Sequence, residues 1–160
     1  MPTEILNILK NTDIEIITSL KNILAGAKLN VAIVPHENPD GDAIGSALGL
    51  GEILADFGHN VNIVSPNDYP GFLKWFGSEV NVIKYSGSKK EGKAAINNAD
   101  VLICVDFNDA SRAGILEKKI LKFDKTKILI DHHPYPTDFC DFTISETTFS
   151  KLNNLLFNKF

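Results

Sequence analysis

Three short segments of the 160-residue sequence collect the residue types that bind metal ions. They hold three of the four histidines and several aspartates: His36, Asp40 and Asp42 in the first, Asp106 in the second, and Asp131, His132 and His133 in the third. Mixed imidazole and carboxylate ligands suit manganese better than they suit an all-oxygen magnesium site. We therefore expect manganese, with magnesium, cobalt and zinc as alternatives, and the chemistry to be metal-assisted hydrolysis.

Phosphoesters are the substrates that need this chemistry, because their anionic oxygens repel a nucleophile. Two divalent ions ~3.5–4 Å apart neutralise those oxygens and lower the pKa of water, so that hydroxide forms near neutral pH. Two ions require one bridging carboxylate and separate ligands for each. Asp106 stands alone after an apolar run and is the expected bridge, while Pro39 and Gly41 let the 36–42 segment turn sharply.

Each of these residues also has a purely structural explanation. Asp42 could cap a helix that begins at Ala43, and Asp40 could serve a turn. Asp106 and Asp131 could likewise cap the segments that follow them. All of these explanations would have to hold together at one edge of one sheet, so we favour the metal site.

The elements that position these residues are short apolar strands. The predicted strands are VAIV at 31–34, VNIV at 61–64, NVIKY at 81–85, VLICV at 101–105 and KILI at 127–130. Helical spacing of apolar residues predicts helices at 3–25, 43–57, 88–98 and 109–122, and a small aromatic helix around 72–76. This alternation predicts an α/β fold, a parallel, Rossmann-like, doubly wound sheet of about five strands flanked by helices. Such sheets bind ligands beyond the carboxyl ends of their strands, where all three segments fall.

The composition, 44% hydrophobic and 22% charged, is that of a folded domain, and the net charge of −4 argues against binding duplex DNA. No run approaches the ~18 apolar residues of a membrane span, and the acidic N-terminus does not resemble a signal peptide. Cys104 and Cys140 fit no paired-ligand spacing, and Cys104 reads as a small buried apolar residue. We expect a cytoplasmic, reduced protein without a membrane partner, in which His59 has a structural role.

The metal-binding segments resemble a known family. His36-x-x-Pro39-Asp40-Gly41-Asp42, then Gly45-Ser46, Val105-Asp106 and Asp131-His132-His133 resemble three motifs of the DHH phosphoesterase superfamily. Within it they look most like the nano-RNases that also hydrolyse 3′-phosphoadenosine 5′-phosphate. The similarity runs from about residue 12 to about residue 146. The combination of motifs is specific, whereas Asp-His-His alone would be weak.

The resemblance implies a set of metal ligands. His36 and Asp40 would ligate one ion. Asp42 and His132 would ligate the second, and Asp106 would bridge the two.

The resemblance also implies roles around the ions. His133 would contact the substrate phosphate and stabilise developing charge, and Asp131 would orient the adjacent imidazole. Ser46 could contact phosphate or simply pack. Arg112, six residues beyond Asp106, could clamp a phosphate or be an ordinary surface arginine.

Two departures from the family pattern concern the end of the chain. The family has a fourth aspartate motif well after Asp-His-His, but here 27 residues follow His133 and the last aspartate is Asp141. The family's C-terminal substrate-binding domain, its natural partner, also has no counterpart. We therefore expect a DHH domain at 1–146 and a truncated terminal helix at 147–160.

The function predicted from the sequence is a metal-dependent phosphodiesterase or phosphatase acting on short oligonucleotides or small nucleoside phosphates, weak on its own. A non-catalytic, truncated metal-binding module and a hydrolase of inorganic pyrophosphate are the alternatives. The oligomeric state is open, with a homodimer among the alternatives to a monomer.

Overall fold

The computed structural model describes residue 18 and residues 21–71 and 80–145. Its strands are β1 (Asn30–Pro35), β2 (Asn60–Ser65), β3 (Asn81–Lys84), β4 (Val101–Val105), β5 (Thr126–Asp131) and β6 (Phe142–Ser145). They form one sheet in the order β3-β2-β1-β4-β5-β6, and every neighbouring pair is parallel. The predicted α/β fold is confirmed, with one strand more than expected.

The connections from β1 to β2, from β3 to β4 and from β4 to β5 are helical. They include α1 (Gly41–Asp56), α2 (Lys89–Asn98), a 3-10 helix (Ala110–Leu116) and α3 (Glu117–Lys122). Residues 21–24 are helical as well, but the rest of the helix predicted over 3–25 lies largely outside the described residues. The aromatic helix around 72–76 and the terminal helix at 147–160 also lie outside them, and the division at 146 stays a prediction.

Both faces of the sheet are covered, as the apolar strands predict. On one face Ile96 of α2 and Ile120 of α3 join a buried cluster with Leu102 and Leu129. On the other, α1 packs through Ala47 and Leu54 against Ile33, Ile103 and Ile128. Successive residues of a strand point to opposite faces, so a strand buried on both faces is apolar throughout. Strand β4, buried at all five positions, is the centre of this arrangement.

Helix α1 begins two residues earlier than predicted. Its cap is Asp40 rather than Asp42, because Asp40 Oδ1 accepts hydrogen bonds from the Asp42 N–H (3.1 Å) and the Ala43 N–H (3.0 Å). A side-chain oxygen in this position satisfies N–H groups that have no partner inside the helix. Asp42 is thereby placed in the first turn of the helix.

The single helix predicted at 109–122 is wrong. Asp109 caps a 3-10 helix by accepting a hydrogen bond from the Ser111 N–H, and Gly114 then leaves helical geometry at φ 54°. A side chain at Gly114 would collide with the carboxylate of Glu37, which packs over this position. The helix α3 starts only after this break, and the Arg112 carbonyl before it accepts the Glu37 N–H (2.7 Å).

His59 has the structural role predicted for it. The buried ring accepts a hydrogen bond from the Leu29 N–H at Nδ1 (3.2 Å) and lies 2.7 Å from the Leu24 carbonyl at Nε2. It therefore ties the segment before β1 to the start of β2. Among the described residues, no helix combines the length and apolar character that crossing a membrane requires.

Candidate metal centre

The three segments meet beyond the carboxyl ends of β1, β4 and β5, which are adjacent in the sheet. The strand order reverses between β1 and β4, and such switch points form crevices for ligands. Asp106 lies at this point, 7% exposed, and its backbone has φ 65°. A left-handed conformation is uncommon for a residue with a side chain and costs folding free energy. Its N–H donates to the Ile130 carbonyl (3.0 Å), which fixes the strained residue in place.

The two carboxylate oxygens of Asp106 face two different imidazoles. Asp106 Oδ2 lies 3.6 Å from His36 Nε2, and Asp106 Oδ1 lies 3.5 Å from His132 Nε2. Both distances exceed those of ordinary hydrogen bonds. They are close to the ~3–3.5 Å that separates two ligand atoms sharing an ion with bonds of ~2.1 Å. Asp106 is therefore placed as a bridging carboxylate would be.

The first group of donors consists of His36, Asp40 and Asp106, whose ligand atoms all lie within 4.8 Å of one another. His36 Nδ1 lies 2.8 Å from the Glu37 carbonyl oxygen. A ring nitrogen that donates to a carbonyl carries the proton, so Nε2 keeps its lone pair for a metal ion. Asp40 Oδ1 lies 3.8 Å from that Nε2. The hydrogen bond from the Ala43 N–H lowers the pKa of Asp40 and keeps it ionised.

The second group of donors consists of Asp106, His132 and His133. Asp106 and His132 lie together with His133, whose Nδ1 is 3.8 Å from Asp106 Oδ1. Asp42 Oδ2 approaches His132 from the other side, 3.8 Å from Nδ1. His132 thus offers one ring nitrogen to Asp106 and the other to Asp42. The assignment of Asp42 and His132 to one ion stays a prediction.

Asp131 supports His133 rather than the adjacent His132. Its Oδ1 lies 2.6 Å from His133 Nδ1, which marks a strong, charge-assisted hydrogen bond when either partner is ionised. The Asp131 side chain is fully buried, and within the described part of the chain its Oδ2 has no hydrogen-bond partner. A buried carboxylate oxygen without a hydrogen bond lowers the stability of the folded protein, unless positive charge lies close by.

The electrostatics of the centre fit divalent cations. Burial raises the pKa of Asp106 to about 6, the charge of Asp42 adds to the rise, and His132 and His36 oppose it. Carboxylates that lie close together in a crevice disfavour one another's charged form, unless a cation compensates the negative charge. The imidazole and carboxylate donors, the crowded charge and the unsatisfied oxygen of Asp131 together suit a site for divalent cations.

The two predicted substrate-binding residues lie beside the donors. The Ser46 hydroxyl is one turn along α1 from Asp42 and donates to its Oδ1 at 3.5 Å. Arg112 is exposed on the 3-10 helix, and its carbonyl accepts the Glu37 N–H (2.7 Å), which places it next to the first segment. Their contact with substrate stays a prediction.

An asparagine pair that the sequence did not reveal braces the first segment. Asn67, just beyond β2, accepts the Asn38 N–H at Oδ1 (2.8 Å) and donates from Nδ2 to Asn38 Oδ1 (2.5 Å). Asn38 has φ 52°, a conformation that asparagine tolerates better than most residues. The one signal in the sequence is that Asn67 also follows a predicted strand.

A second brace joins the other two segments. Asn108 Nδ2 donates to the Pro134 carbonyl (2.8 Å), and the Asn108 carbonyl accepts the Thr137 N–H (2.8 Å). The loop after His133 is therefore held against the loop after Asp106.

The chain belongs to the DHH family, whose N-terminal domain matches residues 30–152. It is 31% identical over 104 residues to a probable manganese-dependent inorganic pyrophosphatase of Lactobacillus acidophilus and 30% identical over 104 residues to one of Lactobacillus helveticus. These alignments cover 61% of the chain and 29% of each relative. An exopolyphosphatase-related protein from Bacteroides fragilis superposes with a TM-score of 0.84 and 35% identity, over 93% of this chain and 44% of that one.

Family membership confirms the resemblance to the DHH superfamily that the sequence motifs predicted. The chain spans less than half the length of each relative.

Proposed function

We propose that this domain uses two divalent ions, manganese foremost, to hydrolyse phosphoester bonds in short oligonucleotides or small nucleoside phosphates. The observation that carries the proposal is Asp106, whose two oxygens face His36 and His132 at 3.6 and 3.5 Å. The manganese dependence in the names of two relatives supports the choice of metal. The nano-RNase subtype, and a cytoplasmic location, rest on the sequence grounds given above.

The side chains around Asp106 would have separate roles in binding the ions and the phosphate. When bound, divalent ions supply positive charge to the phosphate oxygens and lower the pKa of water. His36 presents Nε2 because its Nδ1 is engaged by the Glu37 carbonyl. His133, held at Nδ1 by Asp131, presents Nε2 to a phosphate oxygen and can donate a proton there as negative charge develops.

The residues at the edge of the centre would position the phosphate. Ser46 holds Asp42 in its orientation through the 3.5 Å hydrogen bond. Arg112 would pair with a second phosphate oxygen, since a guanidinium binds two oxygens at once. Asp42 and His132 complete the second ion's ligands in this proposal.

The direct test measures manganese-dependent hydrolysis of a dinucleotide and of 3′-phosphoadenosine 5′-phosphate by the full chain. Asp106→Ala should reduce the rate ~100-fold or more, because even outer partners of metal ligands cost 10–100-fold. Asp56→Ala is the matched control, since Asp56 is an exposed carboxylate at the far end of α1. Hydrolysis that persists in Asp106→Ala, or proceeds equally in EDTA, would contradict the proposal.

Inorganic pyrophosphate is the second candidate substrate, favoured by the two pyrophosphatase relatives. Assaying it beside the dinucleotide under the same conditions decides between them by the ratio of kcat/KM values. A non-catalytic module would bind manganese and hydrolyse neither substrate.

A further inference from the structure

Tyr135 is the most exposed large apolar side chain described in the protein, with 90% of its surface accessible. It lies two residues beyond His133, so its Cα is within roughly 7 Å of the Cα of that residue. Aromatic side chains that are exposed to solvent can serve as surfaces on which nucleobases stack.

The backbone at Tyr135 is unfavourable for its side chain. Its φ is 58°, in the left-handed region that glycine and asparagine adopt more readily than a bulky residue does. A conformation of this kind costs folding free energy and persists only where the surroundings impose it.

The surroundings impose this left-handed conformation, because the chain is fixed both before and after Tyr135. Pro134 is held by the Asn108 side chain (2.8 Å). Two residues later, Thr137 bonds to the Asn108 carbonyl through its N–H (2.8 Å) and to Asp109 Oδ2 through its hydroxyl (3.1 Å). The ring of Phe139 then stacks on Phe107, with centroids 5.9 Å apart. The exposed ring is thus carried on a turn that is held against the loop after Asp106.

We infer that Tyr135 is the platform on which a base of the substrate stacks, which makes it a specificity-determining residue for nucleotides over inorganic phosphates. The inference rests on the proposed function. In a nucleotide a single sugar joins the base to the phosphate, so the two groups lie close together. A phosphate bound at His133 therefore leaves the base near Tyr135, two residues further along the same loop. Aromatic rings stack on any of the bases, because each presents a flat π face.

The test measures dissociation constants with manganese present for a phosphorothioate dinucleotide, which resists hydrolysis, and for imidodiphosphate, a pyrophosphate analogue without a base. Tyr135→Asn removes the ring and suits the left-handed backbone, while Tyr135→Phe keeps the ring. Tyr135→Asn should weaken dinucleotide binding about 5- to 100-fold, the range of a lost base stack. Tyr135→Phe should weaken it less than ~3-fold.

Two further measurements separate stacking from a structural role. Tyr135→Asn should raise the Tm while it lowers dinucleotide affinity, because the strain is relieved as the platform is lost. Phe57→Ala is the matched control, since Phe57 is a 74% exposed aromatic at the opposite end of α1 and should leave dinucleotide binding unchanged.

The outcomes distinguish this inference from the proposed function. If Tyr135→Asn weakens the binding of dinucleotide and imidodiphosphate equally, or weakens neither, the inference of a stacking platform fails. The exposed ring would then serve for contact with a protein partner. Binding of imidodiphosphate without any binding of dinucleotide by the unaltered chain would overturn both the platform and the choice of nucleotide substrates, and would favour pyrophosphate as the substrate. If the manganese-loaded chain binds neither ligand, the proposed function fails and this inference fails with it.

Discussion

Asp106 combines burial, a left-handed backbone and neighbouring negative charge, each of which costs folding stability. These costs are concentrated at a residue whose two carboxylate oxygens face different imidazoles. A cation between the carboxylates would offset them, so the same residue that destabilises the metal-free protein should stabilise the metal-bound form.

Asp106→Asn should therefore raise the stability of the metal-free protein at neutral pH. The folded pKa of about 6 exceeds the ordinary 3.8, so the folded protein holds a proton that the unfolded chain releases. The stability contributed by Asp106 falls as pH rises from about 4 to about 6 and stays low above that. We expect a gain of about 1 kcal/mol at about pH 7.5 in EDTA, and little or none at about pH 4.5, by thermal unfolding.

Asp100→Asn provides the control with the opposite sign. The Asp100 carboxylate accepts the Asn30 N–H (2.9 Å) and pairs with Lys125 (3.3 Å), and these contacts lower its pKa. The stability that the ionised Asp100 contributes is present above the ordinary pKa of 3.8. It is lost as the pH falls through the lower pKa that Asp100 has in the folded protein. The variant should lower the Tm at neutral pH. A lower metal-free Tm for Asp106→Asn as well would contradict the charge-crowding explanation.

At the scale of elements, the site depends on braces between loops that are distant in sequence. Asn67→Ala should weaken manganese binding about 10-fold, because the hydrogen bonds to Asn38 hold the loop that carries His36. Asn81→Ala removes a comparable asparagine pair with Asn62 (3.1 Å) at the other end of the sheet. Calorimetric titration should show weaker manganese binding in Asn67→Ala only. Equal manganese affinities in the two variants would contradict the role of the Asn38–Asn67 pair.

Two glycines predict opposite effects of the same substitution on helix packing. A Cβ at Gly92 of α2 would lie 2.6 Å from Tyr85 Cδ2, so Gly92→Ala should destabilise by about 1–3 kcal/mol through overpacking. Gly49 lies within α1 with open space around its Cα, so Gly49→Ala should stabilise by about 0.5–1 kcal/mol. Denaturant unfolding checks both values. A neutral Gly92→Ala would mean that α2 packs less closely against Tyr85.

The sequence predicted the elements whose pattern is strong and missed those that depend on tertiary context. Strand β4 was predicted to the residue because its five apolar positions suit only a strand covered on both faces. Strand β6 was missed because its four residues are half-buried and show no run. The break at Gly114 depends on Glu37 packing over it, 77 positions away, which no local pattern contains.

At the scale of the whole molecule, the parallel sheet turns separate sequence motifs into one site. Every strand ends at the same edge, so residues after β1, β4 and β5 meet without any contact between them along the chain. This much followed from the sequence. The order of strands and the rotamers of His132 and His133 did not, because side-chain packing decides them. The pairing of Asp131 with His133 rather than His132 is the clearest example.

The most direct test of the central claim is the electron paramagnetic resonance spectrum of the protein titrated with manganese. Because the two oxygens of Asp106 each face a separate imidazole, we predict two ions per chain whose spins are exchange-coupled through the shared carboxylate. Asp106→Ala should abolish the coupled signal, while Asp56→Ala should keep it. A spectrum of isolated manganese at one ion per chain, unchanged by Asp106→Ala, would contradict the bridging site.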